Sequence, residues 1–244
     1  MTYLGEGWDS TAVLVGGWVE RRPRRREIGP QLVREATVMP WLAPRLPLPV
    51  PVPRIVSADP VVARHAFVPG GELSTWTAPM GRQLGEFLLA LHAAPAGEAA
   101  RLGVTPTPLP LDRFLAEVRV PGAGELLARL GGLPADTLVH GDLNPEHVLG
   151  HDGLLTGVID FGDLHLGDPA TDLAWALHDT SPEFADALAE VYGVTDALCE
   201  RAAIWHALTP WYDVLRGNDT DDPEMVQIGL AGVQERLRRW VSPT

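Results

Sequence analysis

Leu138-Val139-His140-Gly141-Asp142-Leu143-Asn144-Pro145-Glu146-His147-Val148-Leu149, followed by Gly157-Val158-Ile159-Asp160-Phe161-Gly162-Asp163, decides the reading of this 244-residue chain. Apolar pairs flank a loop that holds His-x-Asp, and a potential ligand, His147, stands five residues after Asp142. A strand is expected over Leu155–Ile159, ended by Asp-Phe-Gly. Taken singly, Asp142 reads as a turn residue that caps a helix and His140 as a core histidine. Taken together, two aspartates on either side of a short hairpin point to chemistry.

Phosphoryl transfer needs such a pair: one carboxylate accepts the proton of the attacking hydroxyl, and a second holds Mg2+ on the phosphates. The protein-kinase signature follows the same logic, with a catalytic Asp, a metal-binding Asn and the Asp of DFG.

Upstream, Ala12–Val15 and Gly16–Val19 read as two strands joined at a Gly-Gly turn. Glu27 to Leu42 has helical spacing, with Leu32, Val33, Ala36, Met39 and Leu42 on one apolar face, and stops at Pro44. LPLPVPVPRIV excludes a helix and a central strand, and reads as an extended connector into a strand at Arg54–Ser57. A further strand is expected over Val61–Val68, before Pro69-Gly70-Gly71, and an amphipathic helix over Met80–Ala93. Leu111–Leu130 reads as one or two helices. From Pro169 the pattern is helical, with breaks near Thr180–Pro182, Gly193 and Gly217–Pro223. The layout predicts an α+β fold of two lobes: a mostly β lobe over residues 1–68 and a mostly helical lobe over 69–244.

With 45% hydrophobic and 21% charged residues, the chain can bury a core. Its formal charge of -13 disfavours nucleic acid, whose phosphates attract Lys and Arg. An acidic cleft would steer a cationic substrate inward; the plainer reading is that the acidity keeps the protein soluble. No lysine occurs, so every strong base is Arg. With Cys199 alone no intramolecular disulfide forms, and a cytoplasmic location is the expectation. The N-terminus does not read as a signal peptide, and no apolar run reaches the roughly 18 residues of a membrane span. A monomer or weak dimer is expected.

HGDLNPEHVL with VIDFGDLHLGDPATDLAW resembles the aminoglycoside and macrolide phosphotransferases and the wider antibiotic-kinase family, and the resemblance covers nearly the whole chain. It implies a protein-kinase-like fold, ATP or GTP as co-substrate, Mg2+, and an alcohol acceptor. Asp142 matches the catalytic Asp and Asp160 the metal-binding Asp. His147 falls where most of the family has Asn; an imidazole can bind metal, although Mg2+ prefers oxygen. Arg21, in WVERRP, stands at the position of the phosphate-anchoring Lys, with Glu35 as its partner, and Arg holds phosphate bidentately. The competing reading makes the Arg21–Arg26 cluster a solvated basic face. Gly5–Ser10 resembles the turn that covers the phosphates, and Val68 the hinge that offers backbone groups to the purine. His140 and Asp168 are expected to support the catalytic loop, Asp168 through backbone N–H groups, while Asp172 braces a helix. Trp205, Tyr212 and Asp213 are expected at the acceptor pocket, where an aromatic beside an acid suits an amino sugar, though aromatics at helical spacing also read as core.

The leading expectation is transfer of a γ-phosphate to an aminoglycoside hydroxyl. The alternative is a macrolide or small-metabolite kinase of the same fold. Two other classes compete: a non-catalytic nucleotide-binding relative, favoured by the absence of lysine, and a metal-dependent phosphoesterase built from His140, Asp142, His147, Asp160, His165 and Asp168.

Overall fold

The computed structural model describes all residues except 1, 7–8, 108–110, 132, 134 and 242–244. Five strands form one antiparallel sheet: β1 (Thr2–Glu6), β2 (Ser10–Val15), β3 (Trp18–Pro23), β4 (Arg54–Ala58) and β5 (Val61–Ala66), in the order β1-β2-β3-β5-β4. Gly16 and Gly17, at φ +58° and +82°, join β2 to β3; both central residues need positive φ in this tight turn, which glycine adopts without strain. Helix α1 (Gly29–Leu42) packs behind the sheet, burying Leu32, Glu35, Val38, Met39 and Leu42. Its start lies two residues later than the spacing predicted, because Arg26–Ile28 form a 3-10 turn first. Pro30 stands in the first helical turn, where a missing N–H costs nothing.

The proline-rich connector forms neither helix nor strand, and Pro49 O accepts a hydrogen bond from Val158 N at 3.0 Å, so the connector lies against the second lobe. Strand β5 ends at Ala66, two residues short of the expected Val68.

Helices dominate the second lobe: α2 (Ala78–His92), α3 (Ala96–Arg101), α4 (Leu111–Glu117), α5 (Ala123–Arg129), α6 (Ala170–His178), α7 (Pro182–Tyr192), α8 (Asp196–Leu208), α9 (Trp211–Asp219) and α10 (Pro223–Val241). Two short hairpin-like pairs are set among them. Strand β7 (Val148–His151) pairs with β8 (Leu154–Val158), and β6 (Thr137–Val139) with β9 (His165–Gly167). Sequence spacing did not indicate β9 or α3. Nor did it indicate the break at Thr209-Pro210 between α8 and α9, and Gly217 lies inside α9 rather than at a break. Among the described residues no helix is long and apolar enough to cross a membrane.

Two apolar cores hold this lobe. In the larger, the end of α1 (Val38, Met39, Leu42) packs with Phe87 and Leu91 of α2, Phe184 and Leu188 of α7, and Phe161. Burying side chains of this size stabilises by about 1.5–3 kcal/mol each. Because α1 joins the sheet to this core, the two lobes share it. The smaller core lies under α4, α5 and α8–α10, where Phe114 meets Trp211 edge to face at 4.3 Å. The expected arrangement, a β lobe followed by a helical lobe, is the observed one.

Candidate active site

The site forms where β3, α1, the loop after β6 and the segment after β8 converge. Arg21, in the middle of β3, reaches three partners. Its Nη1 donates to Glu35 Oε2 at 2.7 Å, its Nη2 to Asp160 Oδ1 at 3.2 Å, and its Nε to Ser10 Oγ at 3.2 Å. The side chain is 11% exposed, so Arg21 is not part of a solvated basic face. Its neighbours do pair near the surface, Arg22 with Glu20 and Arg25 with Asp9. Burial pushes Glu35 up to about 7, with the Arg21 guanidinium pulling the other way. Residues 7–8 of the expected phosphate-covering turn lie outside the described residues; Ser10 itself is buried at the start of β2.

Asp160 closes the strand that leads out of β8, and its backbone takes φ +63°. Burial works to raise its pKa, but the charge of Arg21 and the hydrogen bond from the Gly162 N–H hold it below the usual carboxylate range. Arg34 on α1 donates from Nη2 to Gly162 O at 2.7 Å, so α1 grips the Asp-Phe-Gly segment at a second point. Phe161 is buried and its ring lies 4.8 Å from that of His140.

Asp142 sits in the loop after β6. Gly141 turns that loop at φ +86°, and a Cβ there would lie 2.5 Å from Asp163 O, so no side chain fits. The Asp142 side chain is 52% exposed; partial burial pushes its carboxyl up to about 6, His147 opposes the shift, and Asp163 and Asp160 add to it. His147 stands between the two aspartates, with Nδ1 3.7 Å from Asp142 Oδ2 and Nε2 3.7 Å from Asp160 Oδ2. Its Nδ1 also lies 2.7 Å from the Asp142 carbonyl oxygen. A carbonyl only accepts, so this contact places the hydrogen on Nδ1 and leaves the Nε2 lone pair facing Asp160. Asn144, inside the motif but not singled out by its spacing, donates to Asp142 Oδ1 at 3.4 Å and accepts from Glu146 N at 2.9 Å.

His140 is fully buried and joins the two halves of the motif. Its Nε2 donates to Ile159 O at 3.0 Å, and its Nδ1 accepts from Asp142 N at 3.3 Å. Burial lowers its pKa, which keeps the ring neutral.

The two aspartates of GDPATD exchange their expected places. Asp172, not Asp168, receives the loop amides: Oδ2 accepts from His140 N at 2.7 Å and Oδ1 from Gly141 N at 2.9 Å. Asp168 instead accepts from Ala170 N at 3.2 Å, from Arg201 Nε at 3.2 Å and from Trp205 Nε1 at 3.1 Å. Lying in the first turn of α6, Asp172 is carried inward to the loop, while Asp168 precedes the helix and faces α8. Trp205 is thereby tied to Asp168 and packs against both cores instead of lining an open pocket. Tyr212 stacks on Trp211 with ring centroids 5.1 Å apart. Tyr212 is half exposed; partial burial, with the charges of Asp163 and Asp142, pushes its hydroxyl up to about 12, so Tyr212 belongs to the same neighbourhood as Asp142. Asp213 is raised by burial, and the charges it feels are those of Arg216 and Arg236, which sets it apart from the two central aspartates. Val68 follows β5 in the segment between the lobes, its side chain buried against Gly157.

Of the six residues a phosphoesterase would need, Asp142, His147 and Asp160 come together. His165 turns its Nδ1 to Asp163 O at 2.7 Å, and Asp168 faces Arg201 and Trp205. Among the described residues no three His, Cys, Asp or Glu converge as a metal-ligand set. Asp160 Oδ2 and His147 Nε2 nevertheless face one another with free lone pairs. That fits Mg2+, which is held by one or two protein groups together with substrate phosphates.

The model of the phosphotransferase enzyme family matches residues 1–211. The fold superposes on that of the GDP and kanamycin complex of APH(2")-IIia with a TM-score of 0.83 and 25% identity, over 97% of this chain and 92% of the other. A macrolide 2'-phosphotransferase type I superposes with a TM-score of 0.76 and 25% identity, over 95% and 90%. The macrolide 2'-phosphotransferase MphH of Brachybacterium faecium shares the fold at 0.77 and 23% identity, over 95% and 90%. No curated protein matches the chain by sequence.

Proposed function

Since the chain belongs to the phosphotransferase enzyme family, and is a small-molecule kinase, we propose that it moves the γ-phosphate of ATP or GTP to a hydroxyl of an aminoglycoside-type antibiotic and so confers resistance. The observation that carries this reading is the single cluster in which Arg21 pairs with both Glu35 and Asp160 while His147 stands between Asp160 and Asp142.

Residues 1–68 supply the nucleotide side and residues 69–244 the catalytic loop and acceptor side. Arg21 anchors the phosphates, held in place by Glu35 and Ser10. Val68 offers backbone groups to the purine. Asp160 and His147 would hold Mg2+, which would supply positive charge to neutralise the nucleotide phosphates. Asp142 receives the proton of the attacking hydroxyl and aligns its oxygen with the phosphorus. The transition state is loose, so an ionised carboxylate suffices and no strong base is needed. His140 keeps Asp142 and Asp160 in register through Asp142 N and Ile159 O.

A cationic acceptor is supported by the carboxylates of Asp142 and Asp163, gathered near Tyr212 in a chain of formal charge -13. The kanamycin complex of a structural relative supports the same class. A macrolide acceptor is the second reading, favoured by the likeness to a macrolide 2'-phosphotransferase. The protein is expected to act in the cytoplasm, as a monomer or weak dimer. The test is nucleoside diphosphate release from ATP and from GTP with kanamycin, gentamicin, streptomycin or a macrolide as acceptor. Release that depends on an aminoglycoside supports the reading; release only with the macrolide moves it to the second; release with none of them contradicts both.

A further inference from the structure

A cavity of about 660 Å³ opens in the first lobe, where the end of β3, the start of α1 and the turn between β4 and β5 meet. The transfer chemistry uses none of its walls. Arg24, Arg25 and Arg26 stand on one side of it, and Pro30, Val33 and Val61 give it an apolar wall. One carboxylate, Asp59, lines it beside the three guanidiniums, so the cavity is positive in a chain of formal charge -13. Helical spacing places Val33 on the apolar face of α1, yet it is 44% exposed and faces this cavity.

Helix α1 separates the cavity from the candidate active site. Pro30 and Val33, about one turn apart, share the face toward the cavity. Gln31, Arg34 and Glu35 share another face and meet the site. Arg34 holds Gly162 O, Glu35 holds Arg21, and a Cβ on Gly162 would run into Gln31 Nε2. A second link runs through Asp9, in the segment expected to cover the phosphates. Its carbonyl accepts from Arg24 N at 2.9 Å, and its Oδ1 from Arg25 Nη2 at 2.9 Å. The cavity and the nucleotide side of the site thus rest on the same two supports.

The lining selects the ligand. The volume suits a small molecule. Guanidiniums on successive residues suit a phosphate dianion, whose oxygens a fork engages two at a time. The apolar wall calls for a carbon body on the same molecule, because burying apolar area adds affinity. We propose that this cavity is an effector site for a small phosphomonoester with an apolar body, whose binding steadies α1 and Asp9 and so tightens the nucleotide site. The inference rests on the reading of Arg21 and Glu35 as the phosphate anchor. Coupling of this kind is reciprocal: the factor by which the effector tightens nucleotide is the factor by which nucleotide tightens the effector.

The test titrates phenyl phosphate calorimetrically into the full chain, with and without saturating ADP or GDP. With the nucleotide site filled, the wild type should bind one equivalent of phenyl phosphate. The probe should tighten ADP or GDP about fivefold or more, and the reverse order should give the same factor. Inorganic phosphate lacks the carbon body and should bind about tenfold more weakly. Arg24→Glu combined with Arg26→Glu should weaken the probe about tenfold or more, with nucleotide Kd unchanged in its absence. Arg25 is left in place because it holds Asp9. Arg24→Ala with Arg26→Ala, the milder pair, serves if the charge reversal does not fold. Arg21→Ala should still bind the probe, which separates the cavity from the phosphate anchor. No saturable binding, undiminished binding by the double variants, or loss of the probe in Arg21→Ala overturns the proposal, as does binding that leaves nucleotide affinity unchanged. Wild-type protein that binds neither ADP nor GDP overturns the nucleotide reading instead. Amide exchange then decides the effector site: slower exchange in α1 with the probe supports it, and unchanged exchange overturns it.

Discussion

Arg21 and Asp160, 139 residues apart in the chain, meet at 3.2 Å between Nη2 and Oδ1, so one guanidinium ties the strand that should hold the phosphates to the aspartate that should hold the metal. The same guanidinium is the partner of buried Glu35. Arg21→Ala should therefore raise nucleotide KM and lower kcat together. The loss in kcat/KM is expected near 2–3 kcal/mol, the value of a charged hydrogen bond. Arg21→Lys should recover part of it, because a point charge replaces a fork. Unchanged nucleotide KM and kcat in Arg21→Ala would move the anchoring role elsewhere.

Asp160→Ala should abolish turnover while leaving the fold intact, since its carboxylate is 42% exposed and Arg21 keeps Glu35 as a partner. Far-UV dichroism should match the wild type, and the metal-nucleotide complex should bind more weakly. A near-normal rate at saturating Mg2+ would show that Asp160 is not the metal ligand.

Acid stability should report on Asp172. Burial works to raise its pKa, but the hydrogen bonds from His92 and the Gly141 N–H outweigh it and hold the group below its ordinary value. The folded pKa thus lies below the unfolded value of about 3.9, so the stabilisation is fully present above that pH and is lost as pH falls through the folded pKa. Asp172→Asn should cost about 1.5–3 kcal/mol near neutrality, and the gap to wild type should narrow as pH drops below about 4. Urea unfolding at several pH values measures this. A gap that stays constant or widens in acid would contradict it.

The catalytic loop and the Asp-Phe-Gly segment were legible in the sequence because their spacing is local: the β7–β8 hairpin returns the chain to its own start. The lobes were legible because Pro69-Gly70-Gly71 separates a strand pattern from a helical one. What the sequence could not give was which face of a short element looks inward. Asp168 and Asp172 stand four residues apart, and only the start of α6 decides that Asp172 meets the loop. Trp205 could be core or pocket by helical spacing alone; the hydrogen bond to Asp168 decides for the interior. His92 ends an ordinary amphipathic helix, and its partner Asp172 lies 80 residues away, so nothing local marks it.

The central claim is that Asp142 receives the acceptor's proton and aligns its oxygen with the γ-phosphate. Asp142→Asn keeps the size and one acceptor oxygen but cannot take the proton. General-base catalysis contributes about 10²–10⁴-fold, so the variant should lose kcat by at least about a hundredfold. Nucleotide Kd should be unchanged, because His147 stands between Asp142 and Asp160, the aspartate proposed to hold the metal-nucleotide complex. The decisive measurement is kcat for phosphorylation of an accepted aminoglycoside by Asp142→Asn and wild type, with nucleotide Kd measured on both proteins. A hundredfold loss with unchanged Kd is the predicted result, and wild-type turnover by Asp142→Asn would contradict the mechanism in its main residue.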